Sequence, residues 1–252
     1  MRNLKGLAMA LILTTASVAS ALTADELIAK NIEARGGLEK IRSIQSLRET
    51  GTLEVGGGGG FSAKFGYVAI AKRPDFLRQE ASWQGLTAVT AYDGKVGWQI
   101  RPFRGRVDPD KMSADDLKQI QVQADIDGPL VDYKAKGNAV EYLGTEDVDG
   151  TDAHKLKVTF KTGDIRYIYL DPDYFLEIRW VDQTRIRGAL EEDETDVGNY
   201  EQVNGVFFPF SIESGPKGQP KGQKITIDKA EVNVTLDDTI FHFPAAAPPK
   251  GK

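Results

Sequence analysis

The two histidines, His154 and His242, are the side chains best suited to acid–base or metal chemistry near neutral pH, and neither has a second histidine at helical spacing. A metal pair would have to be assembled by tertiary structure, so each reads as a surface or interface residue. The chain contains no Cys, which removes thiol catalysis, zinc–thiolate sites, disulfides and a lipid-modified N-terminal cysteine. No Gly-x-Ser-x-Gly segment offers a nucleophile elbow. Gly56 to Gly60 lack the Gly-Lys-Ser/Thr and the following helix of a phosphate loop, and read instead as a flexible hairpin tip. Asp147-x-Asp149-Gly150-x-Asp152 has its glycine too early for a calcium loop and no closing glutamate, so an Asp-Gly hairpin turn is the better reading. The acidic run Glu191 to Glu194 with Asp196 reads as a solvated loop or strand edge. These residues support no reaction, metal or cofactor, and the expectation is a protein that is not an enzyme.

The elements that would position a site are mostly strands. Thr23-x-x-Glu26 is a capping box for a first helix carrying Leu27, Ile28 and Ile32, and Gly36-Gly37 stops it. Leu38 to Ile44 adds a short second helix. From Gly51 the texture changes. Ala88–Tyr92 and Val96–Ile100 flank an Asp-Gly turn, Leu156, Val158 and Phe160 alternate with lysines and a threonine, and Asn204-Gly205 joins Val197–Val203 to Val206–Ile212. The last long strand runs from Lys224 to Leu236. One helical passage interrupts them: Ser113 caps a segment bearing Leu117, Ile120 and Ala124, broken by Gly128-Pro129. The sum is about ten antiparallel strands in a single curved sheet or barrel, with a few helices over one face. Whether its interior is packed core or a ligand cavity is not decided by periodicity.

Composition and charge bound the function class. At 40% hydrophobic and 27% charged residues the chain is ordinary globular protein. Residues 1–21 read as a signal peptide: Arg2 and Lys5, an apolar run from Leu7 to Leu13, and Ala19-Ser20-Ala21 for cleavage. Removing those two basic residues takes the formal charge from −5 to −7. That balance argues against a nucleic-acid partner. The expected organisation is an exported domain over residues 22–244 and a frayed tail over 245–252, located in the periplasm if the organism is Gram-negative.

Three segments carry a resemblance. Lys72-Arg73-Pro74-Asp75-Phe76-Leu77-Arg78 follows a strand. Tyr92-Asp93-Gly94-Lys95-x-x-Trp98-x-x-x-Pro102-Phe103 comes next, and Phe241-x-Phe243-Pro244 closes the chain. In this order, with the export signal and first helix, they resemble the LolA family of periplasmic lipoprotein carriers. The resemblance implies an unclosed β-barrel with a helical lid, whose apolar cavity shields the acyl chains of a lipoprotein between an inner-membrane releasing complex and an outer-membrane receptor. It implies that Arg73 hydrogen-bonds lid carbonyls in the closed, empty state. It also implies that Phe76 or Leu77 is an exposed apolar contact near the mouth. Read from the residues alone, Arg73 is a strand-end ion pair, Phe76 and Leu77 are core packing, and Trp98 is wall or core. The chain is longer than a typical member between residues 104 and 150 and between 184 and 224. A binding or sensor protein for another hydrophobic ligand (lipid, sterol or glycolipid) and a filled-core envelope scaffold are the alternatives. A monomer is expected.

Overall fold

The computed structural model describes residues 22–57 and 61–244. Residues 1–21, 58–60 and 245–252, on which the signal-peptide, hairpin-tip and tail readings fall, lie outside the described residues. Helix α1 (Ala24–Ala34) opens with the capping box in both directions: the Thr23 hydroxyl accepts from the Glu26 amide, and Glu26 accepts from the Thr23 amide. Such a cap stabilises a helix by about 1 kcal/mol. Gly36 ends it at φ 121°, and a Cβ there would lie 2.1 Å from the Gly205 carbonyl oxygen, so only glycine lets this corner touch the sheet. Helix α2 (Leu38–Ser43) follows directly.

Six strands then run up and down: β1 (Ser46–Gly57), β2 (Phe61–Lys72), β3 (Phe76–Trp83), β4 (Leu86–Asp93), β5 (Gly97–Arg101) and β6 (Arg106–Lys111). After helix α3 (Ala114–Gln123) come β7 (Ala139–Val148), β8 (Thr151–Thr159), β9 (Ile165–Leu170), β10 (Glu177–Ile186), β11 (Ala189–Val203), β12 (Val206–Pro216) and β13 (Gln223–Val232). All belong to one antiparallel sheet in the order β6-β5-β4-β3-β2-β1-β13-β12-β11-β10-β9-β8-β7. Two meanders are thus stitched where β1 meets β13. At Gly51 a bulge brings the two backbones so close that a Cβ would sit 2.0 Å from the Thr226 oxygen. The edges β6 and β7 do not pair, so the barrel is unclosed.

Thirteen strands replace the roughly ten expected. β6 is hidden in the sequence by Pro109 and four charges, and it survives as an edge strand, where a missing ladder donor is tolerated. β11 begins at Ala189, so the acidic run is strand and not loop. Its charge is matched by cations from β10 and the β12–β13 turn: Arg179 pairs with Asp196 and Lys221 with Glu194, while Lys221 also lies 3.3 Å from Asp196. β13 stops at Val232, four residues early, because Asn233 turns at φ 57° and donates its amide to Ser46.

The helices cover one face of the sheet. Ile41 and Ile44 pack with Tyr67, Val131, Phe208, Phe210 and Ile227 in the principal core. Leu27 and Ile28 join Leu130, Leu156, Ile168 and Leu170 in a second. Because β1–β4 and β9–β13 wall the same interior, the sheet curls around it. Within a meander the turns alternate ends. The β2–β3 and β4–β5 turns lie with α2 at one end, and the β1–β2, β3–β4, β5–β6, β10–β11 and β12–β13 tips lie at the other.

Candidate functional site

The helix end of the barrel is filled and latched. Arg73 leaves β2 with its guanidinium turned under α2. Nε donates to the Ile44 carbonyl at 2.6 Å and Nη2 to the Ile41 carbonyl at 3.2 Å. Nη1 donates to Asp127 Oδ2 at 2.7 Å, and Nη2 also reaches Oδ1, which completes a bidentate pair. The carbonyls at a helix C-terminus have no partner within the helix, and a cation there is favourable. Arg73 thus donates to backbone carbonyls and pairs with a carboxylate through one side chain. Asp127 is 10% exposed and Arg73 25%, so the pair is largely out of water. Burial works to raise the Asp127 carboxyl, but the Arg73 hydrogen bond and charge outweigh it and hold the group below its ordinary value.

Asp127 belongs to the segment between α3 and β7, which is tied down along its length. Arg35 donates to the Asp127 carbonyl at 2.8 Å, Lys136 pairs with Asp125 at 2.5 Å, and Arg42 with Asp132 at 2.7 Å. The partner of Arg73 carried no sequence signal beyond its place beside the Gly128-Pro129 break.

The other end is open. Between α3 and the sheet lies a cavity of about 860 Å³, a size at which pockets enclose small organic ligands. Leu53, Tyr67, Ala81, Trp180, Phe208 and Ile225 give it apolar walls. Gln79, Thr90 and Thr195 interrupt them, and toward one side Asp182, held bidentately by Arg166 at 2.7 and 2.8 Å, faces Asp193. Burial raises the Asp193 carboxyl, and the neighbouring Asp182 adds to it. The interior is therefore core at the latched end and cavity at the open end.

Leu77 is 4% exposed and packs with Tyr92, Ile120 and Ala124, which seats α3 on β3 and β4. Gln121 donates to the Tyr92 hydroxyl at 3.1 Å across the same contact. Phe76 and Trp98 point to the opposite, outer face. Phe76 is half-buried and stacks on Phe241 at 5.2 Å, and Trp98 is buried with its Nε1 donating to the Phe241 carbonyl at 2.8 Å. Neither Phe76 nor Leu77 is an exposed contact at the mouth. The four residues singled out in the sequence divide as one latch, one helix seat and two parts of an outer clamp. His154 hydrogen-bonds Tyr142 at 3.0 Å and His242 approaches Asp93 at 3.3 Å, so the imidazoles serve separate places. Among the described residues there is no group of three His, Cys, Asp or Glu side chains placed to hold a metal ion.

One half-buried carboxyl was not anticipated. Glu49 lies on the inner face of β1, opposite Ala69 on one side and Ala230 on the other, close enough to Tyr67 to raise that phenol. Burial pushes its own carboxyl up to about 7 from 4.5. A carboxyl raised on folding contributes stability below its unfolded value that is lost as pH rises through the folded value. Stability should therefore fall between pH 4.5 and about 7. Glu49→Gln should remove that fall and gain up to about 3 kcal/mol above it. Thermal unfolding across this range reads the effect, and superimposable profiles for wild type and variant would refute it.

No protein-family model matches the sequence, and no curated protein matches it. Solved structures do share the fold. A LolA superfamily protein from Nitrosomonas europaea superposes with TM-score 0.61 at 14% identity, over 88% of this chain and 98% of that one. A DUF1329 family protein from Desulfovibrio piger gives 0.59 at 13% identity, over 86% and 95%. A domain from Vibrio parahaemolyticus described as an outer membrane lipoprotein-sorting protein gives 0.57 at 12%, over 85% and 94%. At these identities the likeness is one of fold: the chain shares the unclosed barrel of these structures.

Proposed function

We propose that the protein is a periplasmic carrier that holds the acyl chains of a lipoprotein in the barrel cavity and shuttles them toward the outer membrane, without covalent chemistry. The observation that carries this reading is the cavity of about 860 Å³ beneath α3, whose wall includes Leu53, Tyr67, Trp180, Phe208 and Ile225, in a fold shared with a lipoprotein-sorting domain. Apolar surface removed from water contributes about 25 cal/mol per Å². Acyl chains therefore bind readily, and release is the harder step. The Arg73–Asp127 latch supports release, since a closed state held by buried polar contacts competes with the loaded one. The carrier acts as a monomer, loaded by an inner-membrane releasing complex and emptied at an outer-membrane receptor.

A second reading rests on the polar groups in the wall. Gln79, Thr90 and Thr195 suit an amphipathic ligand with a hydrogen-bonding head, such as a free lipid, sterol or glycolipid, bound for sensing and not for sorting. Native mass spectrometry of protein isolated from its own periplasm without detergent, followed by solvent extraction, separates the two. A bound acylated lipoprotein is the expected result. A free lipid alone would transfer the assignment to the second reading. An empty protein that also takes up no fluorescent acyl probe would refute both.

A further inference from the structure

The open end of the barrel differs in charge and polarity from the rest of the molecule. Its tip segments 101–107, 184–190 and 215–223 together carry seven Arg and Lys residues and no acidic one, and segment 82–87 has no charge at all, on a chain whose formal net charge is −5. The turns at the latched end carry Asp93, Asp149, Asp171 and Asp173. Some tip cations are matched from the strands below: Asp110 lies 3.2 Å from Arg106 and 3.6 Å from Arg101, and Lys217 pairs with Glu192 at 3.2 Å. Arg104, Arg185 and Arg187 make no ion pair among the described residues.

The same tips gather exposed apolar groups. Of the eight large hydrophobic residues exposed among those described, five lie here: Trp83, Leu86, Phe103, Val107 and Leu190. Trp83, Phe103 and the half-buried Phe65 form one aromatic cluster, with ring centroids 5.2 to 6.3 Å apart. Phe65 faces Leu53 across β1–β2, and Trp83 lies two residues beyond Ala81, so the cluster continues directly from the cavity wall. It is rim and not wall.

We propose that this end is a membrane-docking face that seats on an anionic bilayer, with the aromatic cluster at headgroup depth and the cavity mouth against lipid. The Trp83 indole, an apolar ring with a polar N–H, favours the membrane interface, the Phe rings beside it add apolar surface, and arginines pair with lipid phosphates while their stems rest on apolar surface. The concentration of positive charge at one end of an acidic protein orients it mouth-first toward a negative surface. An acidic protein partner would satisfy the cations, but it would leave unexplained why the aromatic cluster is continuous with a cavity suited to acyl chains. The docking face goes beyond the carrier reading and is tested separately from it, because Trp83, Phe103, Arg104 and Arg187 lie outside the cavity wall.

The test is flotation of the full mature protein with vesicles of phosphatidylethanolamine and phosphatidylglycerol, against vesicles of phosphatidylcholine alone. Wild type should float with the anionic vesicles only, be released at high salt, and show a blue shift of Trp83 emission. Arg104→Gln with Arg187→Gln should weaken binding roughly 30-fold. Trp83→Ser with Phe103→Ser should lose the stable fraction and keep a weak, salt-sensitive one. Trp83→Phe should float as wild type without the blue shift, which assigns the signal. Absence of flotation by wild type, or flotation unchanged by both paired substitutions, would overturn the proposal and leave the face to a protein partner. Acyl-probe uptake in solution, measured on the same variants, should be unchanged. Its loss in wild type would count against the carrier and not against docking.

Discussion

Arg73→Leu should weaken the closed state by about 3 kcal/mol, because truncating one partner strands a buried charge on the other. Asp127, only 10% exposed, would keep Arg35 and Lys136 as distant cations but lose its bidentate partner, the Ile44 carbonyl would lose its donor, and the Ile41 carbonyl would keep only the Ile44 amide. If the closed, empty form competes with loading, the same energy appears as tighter cargo retention. Each 1.4 kcal/mol is tenfold, so acyl-probe affinity should rise by up to roughly 100-fold, with slower release. Replacing both partners, Arg73→Leu with Asp127→Leu, should recover most of the stability, since neither charge is then buried alone. Because Asp127 is held below its ordinary 3.8, its contribution is present above that value and lost as pH falls through the lowered folded one. The difference between wild type and Arg73→Leu should therefore persist at neutral pH and shrink only in acid, as the stranded Asp127 is protonated. Probe titration and chemical denaturation of the three proteins decide the matter. A large stability loss with unchanged probe affinity would make Arg73 a structural ion pair and remove it from the release mechanism.

The sequence announced local structure well and partnerships poorly. Capping at Thr23 and Ser113, the Asn204-Gly205 turn and the Asp93-Gly94 turn all stand where the residues place them, because each is fixed by contacts within a few positions. The acidic half of β11 was not legible as strand, since the compensating Arg179 and Lys221 come from other elements, and neither was β6, whose Pro109 is tolerated only because the strand lies at the sheet edge. The motifs led to the latch through Arg73, but Asp127, 54 positions on, has no pattern of its own. Most of what the three motifs encode lies elsewhere. Lys72, Phe76 and Arg78 from the first, Asp93 and Trp98 from the second, and Phe241 from the third converge on the outer face of the sheet. A shared motif set can thus record how a fold is fastened and say little about what it binds. The cavity wall, built from residues of nine strands and one helix, leaves no linear trace.

That outer clamp yields the second large effect. After β13 the chain crosses the outer face, where Lys72 pairs with Asp238 and Arg78 donates to the Ile240 carbonyl at 2.8 Å. Phe241, with no exposed surface, then inserts between Phe76 and the Trp98 indole N–H. Phe241→Ala should cost about 3–5 kcal/mol, the range for emptying a buried aromatic site. Trp98→Phe, which keeps one aromatic ring but shrinks the buried indole and forfeits one hydrogen bond to a buried carbonyl, should lose about 1–3 kcal/mol for that hydrogen bond alone. In a background of Trp83→Phe and Trp180→Phe, release of the segment should move Trp98 emission to the red as the indole meets water. Since clamp and cavity occupy opposite faces, acyl-probe uptake below the melting transition should be unchanged, the reverse of the Arg73 result. A Phe241→Ala protein within about 1 kcal/mol of wild type would mean that the segment packs without fastening the sheet. Lost uptake at full stability would mean instead that the two faces are coupled through β3 and β4, whose Leu77 and Tyr92 seat the cover helix while Phe76 and Asp93 meet the clamp.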